Sequence, residues 1–258
     1  MSAHRFFTDT HILDALDENG VFNAVLFEED GAHARVLRLR PGEHVVFIDG
    51  TLDYFEAEII EVRKQGISAR IAKHEHLEPS HVELVLVQGL AKGGKLEEII
   101  RHATEVGVDS FMPFSADRSV LKLEGKQLEH KMQRWRSVAK SAAMQAGRNH
   151  IPRVEAPVGM DGLSEVLAGF DAVLVFWEEA SLEDSIAVAV EPLRARLAGG
   201  QPLRIACVIG PEGGLSREEI EQMKAWGHTS IVTLGPAILR TETAGVVAPA
   251  LVLYELHR

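Results

Sequence analysis

"CVIGPEGGLSREEI", residues 207–220, and "LGPAILRTETAG", residues 234–245, decide how this chain folds. Each follows an apolar run and breaks at a Gly-Pro pair, Gly210-Pro211 and Gly235-Pro236. Proline fixes φ and has no N–H to give a ladder, so both breaks read as strand ends. After the first, Ser216 stands three residues before Glu219, a capping box that opens a helix closing at Gly227. After the second, residues 243–256 read as the last helix, with Pro249 either kinking it or marking a later start.

Outward from these stretches the same alternation continues. "VELVLVQ" (82–88), "VDSFMPF" (108–114), "FDAVLVF" (170–176), "LRIACVI" (203–209) and "SIVTL" (230–234) read as strands. Between them, "KLEEIIRHATEV" (95–106) places Leu96, Ile99, Ile100, Ala103 and Val106 on one helical face and stops at Gly107. Further helices are predicted around 126–147 and within 181–198. Strands apolar on both faces, separated by helices, predict an α/β fold with a mostly parallel, doubly covered sheet.

The N-terminal part differs. "VFNAVLF" (21–27), "HVVFID" (44–49), "YFEAEII" (54–60) and "ISARIAK" (67–73) are short strands, with an Asp49-Gly50 hairpin signal between the second and third. They predict a small β-barrel over 1–73. "HEHLEPSH" (74–81) reads as a solvated connector, its histidines lacking the second ligand cluster that a metal site needs. The α/β domain then spans 82–258.

Composition narrows the class. The chain has 258 residues, 46% hydrophobic and 25% charged, and one cysteine. A lone thiol makes no intrachain disulfide and fits a reducing compartment, and Cys207 within "IACVIG" reads as a buried strand thiol. The N-terminus has no apolar signal segment, and the longest uncharged apolar run, residues 244–254, is too short to cross a bilayer. A soluble, cytoplasmic protein is expected. The net charge of −11 argues against nucleic acid, yet residues 118–153 hold nine Lys or Arg against two acids. That window carries +7 and leaves −18 for the rest. It reads either as a face that meets a polyanion or as solvated helix whose counter-charges lie elsewhere in space.

In an open α/β sheet, ligands bind at the carboxyl ends of strands. The two Gly-Pro breaks and a third strand end, "VLVFWEEAS" (173–181), therefore belong to one candidate crevice. Neither break matches a phosphate-binding pattern. Glu212 beside the glycines Gly210, Gly213 and Gly214 suits a neutral or cationic ligand instead. Ser216 is accounted for by its cap, with no nucleophile pattern around it.

"VIGPEGGLSREEIE" followed by "LGPAILRTETA" resembles the signature pair of the SPOUT-class ribosomal RNA small subunit methyltransferases, which methylate N3 of a uridine in 16S rRNA. "HRFF" (4–7), "ARVLRLRPGE" (34–43), "VQGLAKGGKLEEIIRHATEVGV" (87–108), "FMPFSADRSV" (111–120) and "MQAGRNHIP" (144–152) follow in that family's order and spacing. The resemblance implies an N-terminal PUA-like barrel, and a C-terminal domain with a deep trefoil knot at about 174–258. It implies S-adenosyl-L-methionine as cofactor, no metal and no membrane, 16S rRNA or the small subunit as partner, and a homodimer. It places the cofactor against Val175, Phe176, Gly210, Pro211, Glu212, Gly213, Gly214, Leu234, Gly235, Ile238, Leu239, Arg240, Thr243 and Ala244. Arg240 is the expected charge stabiliser and Glu242 the expected proton acceptor, with Arg5, Arg38, Arg118, Lys122 and Arg148 on the RNA. Ala237 stands where the family usually has Arg, Met144 where an acid is usual and His102 where Lys is common, and Gly245 and Pro249 are unusual in the last helix. The alternatives are a SPOUT methyltransferase for another RNA or a ribose 2′-hydroxyl, and a non-catalytic RNA-binding module.

Overall fold

The computed structural model describes residues 4–26, 38–51, 53–63, 66–119, 121 and 123–258. Lys122, the end of the strand expected at 21–27 and the first part of the basic turn at 34–43 lie outside them. Two compact units emerge: Met1–Pro79 with Ala143–Ile151, and Ser80–Ala142 with Pro152–Arg258.

The first unit is one five-stranded sheet in the order β1 (His4–Phe7), β3 (His44–Ile48), β4 (Asp53–Arg63), β5 (Gly66–His76), β2 (Val21–Val25). Its path has two ends, so among the described residues the sheet is open, and the closed barrel expected from sequence is not found. The expected strands are present, with β3 and β4 antiparallel across Asp49-Gly50. Two features were not foreseen. "HRFF" is itself a strand, parallel to β3, and β5 continues through His76 into the expected connector. Alternation along the strands buries Phe22, Phe47, Phe55, Ile59 and Ile67 on one face, where Phe22 meets Phe47 edge-on at 5.2 Å. Ala143 joins Phe7, Val46 and Ile48 in a smaller cluster.

Among the described residues, His74 and His76 belong to no group that could hold a metal ion. Asp53 Oδ1 accepts from His74 Nε2 at 2.9 Å and His76 Nδ1 at 3.0 Å, and Oδ2 accepts from Thr51 at 2.8 Å. His74 also stacks on Phe55, centroids 4.7 Å apart.

The second unit is a seven-stranded sheet ordered β12 (Thr229–Val232), β10 (Ala172–Phe176), β11 (Leu203–Ile209), β6 (Val82–Gly89), β7 (Ser110–Ser115), β8 (Arg153–Val154), with β9 (Val158–Gly159) also on β7. Every pairing is parallel. Successive residues of each strand point to opposite faces, so Leu84, Leu86, Leu174, Ile205 and Cys207 enter one core and Val85, Val87, Val173, Val175, Ala206 and Val208 the other. The first core is covered by α1 (Lys95–Val106), α2 (Gly125–Gln145), α4 (Ile186–Ala198) and α6 (Thr241–His257), the second by α3 (Met160–Leu167) and α5 (Arg217–Lys224). The doubly covered parallel sheet expected from apolar strands is thus present. α1 has the expected bounds and ends on left-handed Gly107. The short elements β8, β9 and α3 had no periodic signal of their own.

α6 begins at Thr241, two residues earlier than expected, and carries Pro249 in its interior. The residue four back from Pro249 is Gly245. A Cβ at Gly245 would stand 2.7 Å from Gln88 Oε1 and 3.0 Å from Ile99 Cγ2.

Asp53 supplies a pH test. The hydrogen bond from His74, chiefly, holds its carboxyl at about 2 in the folded chain. A depressed carboxylate stabilises the fold above its unfolded pKa of about 4. That contribution is lost as pH falls from there through about 2. Denaturant titrations should show the first unit weakening over that window. Asp53→Ala should lower its stability at pH 7 by about 1–3 kcal/mol, since the bonds end on a charged group. An unchanged midpoint would remove Asp53 from the stability of this unit.

Candidate active site

Because the strands are parallel, the ends of β6, β10, β11 and β12 share one edge, and the loops that leave them converge. Their meeting point is the carbonyl of Gly210, the first residue after β11. It accepts the Thr241 hydroxyl at 2.7 Å and the amide of Gln88, the penultimate residue of β6, at 3.3 Å. Gln88 also donates to Thr241 Oγ1 at 2.9 Å, and both residues are buried. Chain segments far apart in sequence are therefore fixed to one another by groups that have no water to turn to. Gly89 permits the approach: a Cβ there would lie 2.4 Å from Pro211 N.

The loop after β7 is tied in beside it. Ser216 caps α5 with the reciprocal bonds of a capping box, as its spacing predicts. Buried Glu219 accepts from the backbone N–H of both Ser216, at 2.7 Å, and Asp117, at 2.9 Å. Arg118 Nη1 then reaches Gly213 O at 3.0 Å.

Around the Gly210 junction lies a cavity of about 410 Å³, within the range of small-molecule sites. Its apolar wall includes Phe176, Ile209, Leu234 and Leu239, and three carboxylates, Glu178, Glu212 and Glu242, line it with two cations, Lys95 and Arg240. Lys95, the first residue of α1, stands 3.2 Å from Glu242 Oε2 and 3.4 Å from Glu212 Oε1. The hydrogen bond to Glu242, chiefly, raises the Lys95 pKa. Burial works against ionisation of Glu212, but its own amide, that of Lys92 and the Lys95 ammonium together hold it below the ordinary carboxylate range. Glu242 is held down by its own backbone N–H first, then by Lys95 and Arg240. All three groups are therefore charged at neutral pH.

Of the expected cofactor residues, the cavity brings together Phe176, Gly210, Pro211, Glu212, Gly214, Leu234, Gly235, Ile238, Leu239, Arg240 and Ala244, and Glu242 joins them. Val175 faces the core instead, Gly213 turns to Arg118, and Thr243 is exposed outside the lining. Thr241 is buried at the junction. Arg240 is the N-cap residue of α6 and makes no side-chain cap bond. Lys95, Glu178 and Gln88 were missed. Lys95 was legible only as the start of a helix that follows a strand whose end joins the crevice.

The basic residues are partly accounted for by the fold. Lys131 and Arg134 pair with the largely buried Glu97, and Arg153 with Glu83. Arg5 donates to Gly147 O, Arg148 O and Asn149 Oδ1 within the first unit. Arg148 contacts His150 at 3.0 Å. Arg38 is exposed with φ of 52°, and Arg118 is exposed in the second unit. Cys207 is fully buried, and burial pushes its thiol pKa up, away from nucleophilic use.

The fold and this crevice match the RNA methyltransferase class: residues 78–253 match the RNA methyltransferase domain family and residues 28–72 the RNA methyltransferase PUA domain. Ribosomal RNA small subunit methyltransferase E of Bacillus subtilis is 37% identical over 224 residues, 85% of each chain. The protein of that name from Mycobacterium bovis is 35% identical over 241 residues, 92% of this chain and 87% of the relative. A putative methyltransferase of Legionella pneumophila, solved in complex with the cofactor SAM, superposes with a TM-score of 0.80 at 28% identity over 98% of each chain. The chain belongs to the ribosomal RNA small subunit methyltransferase E family.

The junction makes a direct prediction. Thr241→Val keeps the shape and removes the donor to the Gly210 carbonyl, so it should cost about 1–3 kcal/mol of unfolding free energy. Gly245→Ala should cost a similar amount, about 1–3 kcal/mol, by overpacking against Gln88 and Ile99. Denaturation midpoints equal to the parent's in both variants would show that the junction contributes no stability.

Proposed function

We propose that the chain methylates N3 of a uridine in 16S rRNA of the small ribosomal subunit, with S-adenosyl-L-methionine bound in the cavity. The observation that carries this reading is the convergence of both Gly-Pro loops on one cavity with an apolar wall and an excess of carboxylates. Those residues fit the cofactor: Phe176, Ile209, Leu234 and Leu239 suit a flat heterocycle, while Glu178, Glu212 and loop carbonyls suit ribose hydroxyls and positive charge. Bound there, the cofactor supplies an electrophilic methyl group. The names of the relatives supply the RNA, and the resemblance supplies the base and its N3.

This chain's own residues do the rest. The rigid junction holds the two loops at fixed separation, so the base meets a prepared site. Glu242, ionised at neutral pH, is the acceptor for the N3 proton, and the target base leaves its stack to reach it. Arg240, exposed at the start of α6, grips the adjacent phosphate or the charge building on the base. Arg38, Arg118, Lys122 and Arg148 contact surrounding phosphates. Arg5 contributes chiefly through the 147–149 loop, to which its guanidinium donates.

The first unit, residues 1–79 with 143–151, acts as the PUA-like RNA-binding module, and the second, residues 80–142 with 152–258, as the methyltransferase domain. Residues 174–258 form the trefoil knot. The strand order β12-β10-β11-β6 and the return of α6 over β6 and β11 support that threading. Mechanical unfolding should yield a contour shorter than a free chain of 258 residues, and a full-length contour would refute the knot. A homodimer is supported by Leu182, Val188, Ile238, Leu251 and Tyr254, all exposed. Sedimentation should give twice the 28.3 kDa chain mass, and a monomer would refute it.

The decisive test is nucleoside mass spectrometry of 16S rRNA from a strain lacking the gene. N3-methyluridine should disappear and return when the protein is added back. Its undiminished persistence, or loss of a 2′-O-methyl nucleoside instead, would overturn the substrate assignment. Arg240→Ala should abolish transfer while leaving cofactor affinity within about tenfold, ~1.4 kcal/mol. Wild-type turnover in that variant would remove Arg240 from the reaction. Affinity for RNA should fall steeply with salt, because phosphate contacts dominate it.

A further inference from the structure

We propose that Lys95 is a catalytic residue that holds the negative charge of the uracil once its N3 proton has left. The inference rests on the N3 reading above and goes beyond it, because neither Gly-Pro loop contains this lysine.

Lys95 is placed by the topology. α1 follows β6, so its first turn opens on the same sheet edge as the loops after β11 and β12. A cation at a helix N-terminus is disfavoured by the helix dipole, and here two carboxylates offset it. Those carboxylates do not need Lys95 for their own satisfaction to the same degree. Glu212 Oε1 already accepts the Lys92 backbone N–H at 3.0 Å, and Glu242 has its own amide. An ammonium has three donors, so at least one is uncommitted by the two ion pairs. The side chain is 30% exposed and lines the cavity, within reach of an entering base. Arg240, the other cation of the lining, is exposed at the α6 terminus, a position suited to a phosphate outside the cavity.

The chemistry calls for such a group. The N3–H bond breaks and the proton passes to the Glu242 carboxylate. The electron pair stays on the ring, spread over O2 and O4, and then forms the new N3–carbon bond as that carbon's bond to the sulfonium sulfur breaks, its electron pair leaving on the neutral thioether. A carboxylate held low is a weak base for so weak an acid, so the transfer proceeds only if the anion is stabilised as it forms. Lys95, already paired to Glu242, stands beside the acceptor of that proton. Its own charge is unchanged through the step, and Glu242 later yields the proton to water.

The test compares wild type, Lys95→Met and Lys95→Arg in single-turnover methylation of small-subunit RNA, with N3-methyluridine read by mass spectrometry across a pH series. Calorimetric cofactor affinity and the unfolding midpoint are measured alongside. Lys95→Met should be slowed by about 100-fold or more at pH 7, the usual scale for losing one charge-stabilising donor. The deficit should shrink as pH rises toward ionisation of uracil itself, and should shrink likewise on RNA carrying the more acidic 5-fluorouridine. Lys95→Arg should retain most of the rate, and cofactor affinity should stay within tenfold. A deficit in Lys95→Met that is the same at every pH and on both RNAs, or one that follows a lowered midpoint, makes Lys95 a strut between the loops and overturns its catalytic role. So does a wild-type rate in Lys95→Met. A wild-type protein that leaves N3 unmodified overturns the reaction reading, and the role of Lys95 with it.

Discussion

The carbonyl of Gly210 is the point on which the rest of the site depends. One oxygen accepts from a hydroxyl at the start of α6 and from an amide near the end of β6, all out of contact with water. A buried carbonyl left without donors costs more than the bond returns when made, so each partner fixes the other two. The glycines around it follow as a consequence: Gly89 lies too close to the Pro211 backbone, and Gly245 to the Gln88 and Ile99 side chains, to carry a Cβ. The two Gly-Pro breaks are held apart by this junction, and the cavity is the space it leaves between them.

That arrangement explains why the cavity is charged as it is. Three carboxylates and two ammonium or guanidinium groups line a space too small to dilute their fields. A cationic sulfonium entering it meets an excess of negative charge. Lys95 pairs with two of those carboxylates, Glu212 and Glu242.

What the sequence made legible was local. The capping box at Ser216, the bounds of α1 with its glycine stop, the strand ends at Gly-Pro and the alternation that covers both sheet faces all arise from residues within one turn or one strand of each other. The two Gly-Pro stretches account for most of the cavity lining. The unread part was long-range. Gln88 reaches residues more than a hundred positions away, and nothing near it in sequence marks that. For Lys131 and Arg134 the sequence left two readings open, and the ion pairs with Glu97, on another helix, decide for counter-charges elsewhere in space. "HRFF" hid as a strand because a four-residue run has no period to detect, and it is stabilised by a parallel neighbour forty residues on. Among the described residues the first unit's sheet stays open for a related reason: alternation predicts strands, while closure depends on which edges meet.

Assignment of the cofactor to the space between the two Gly-Pro loops can be decided by calorimetric titration of S-adenosyl-L-methionine into the parent chain and into Ala237→Trp. Ala237 lines the cavity and is exposed, so an indole there fills the space without disturbing the core. That assignment requires saturable binding of one cofactor per parent chain, and binding weakened at least about tenfold in the variant, ~1.4 kcal/mol. Equal affinities in the two proteins, or no binding to the parent, would contradict it.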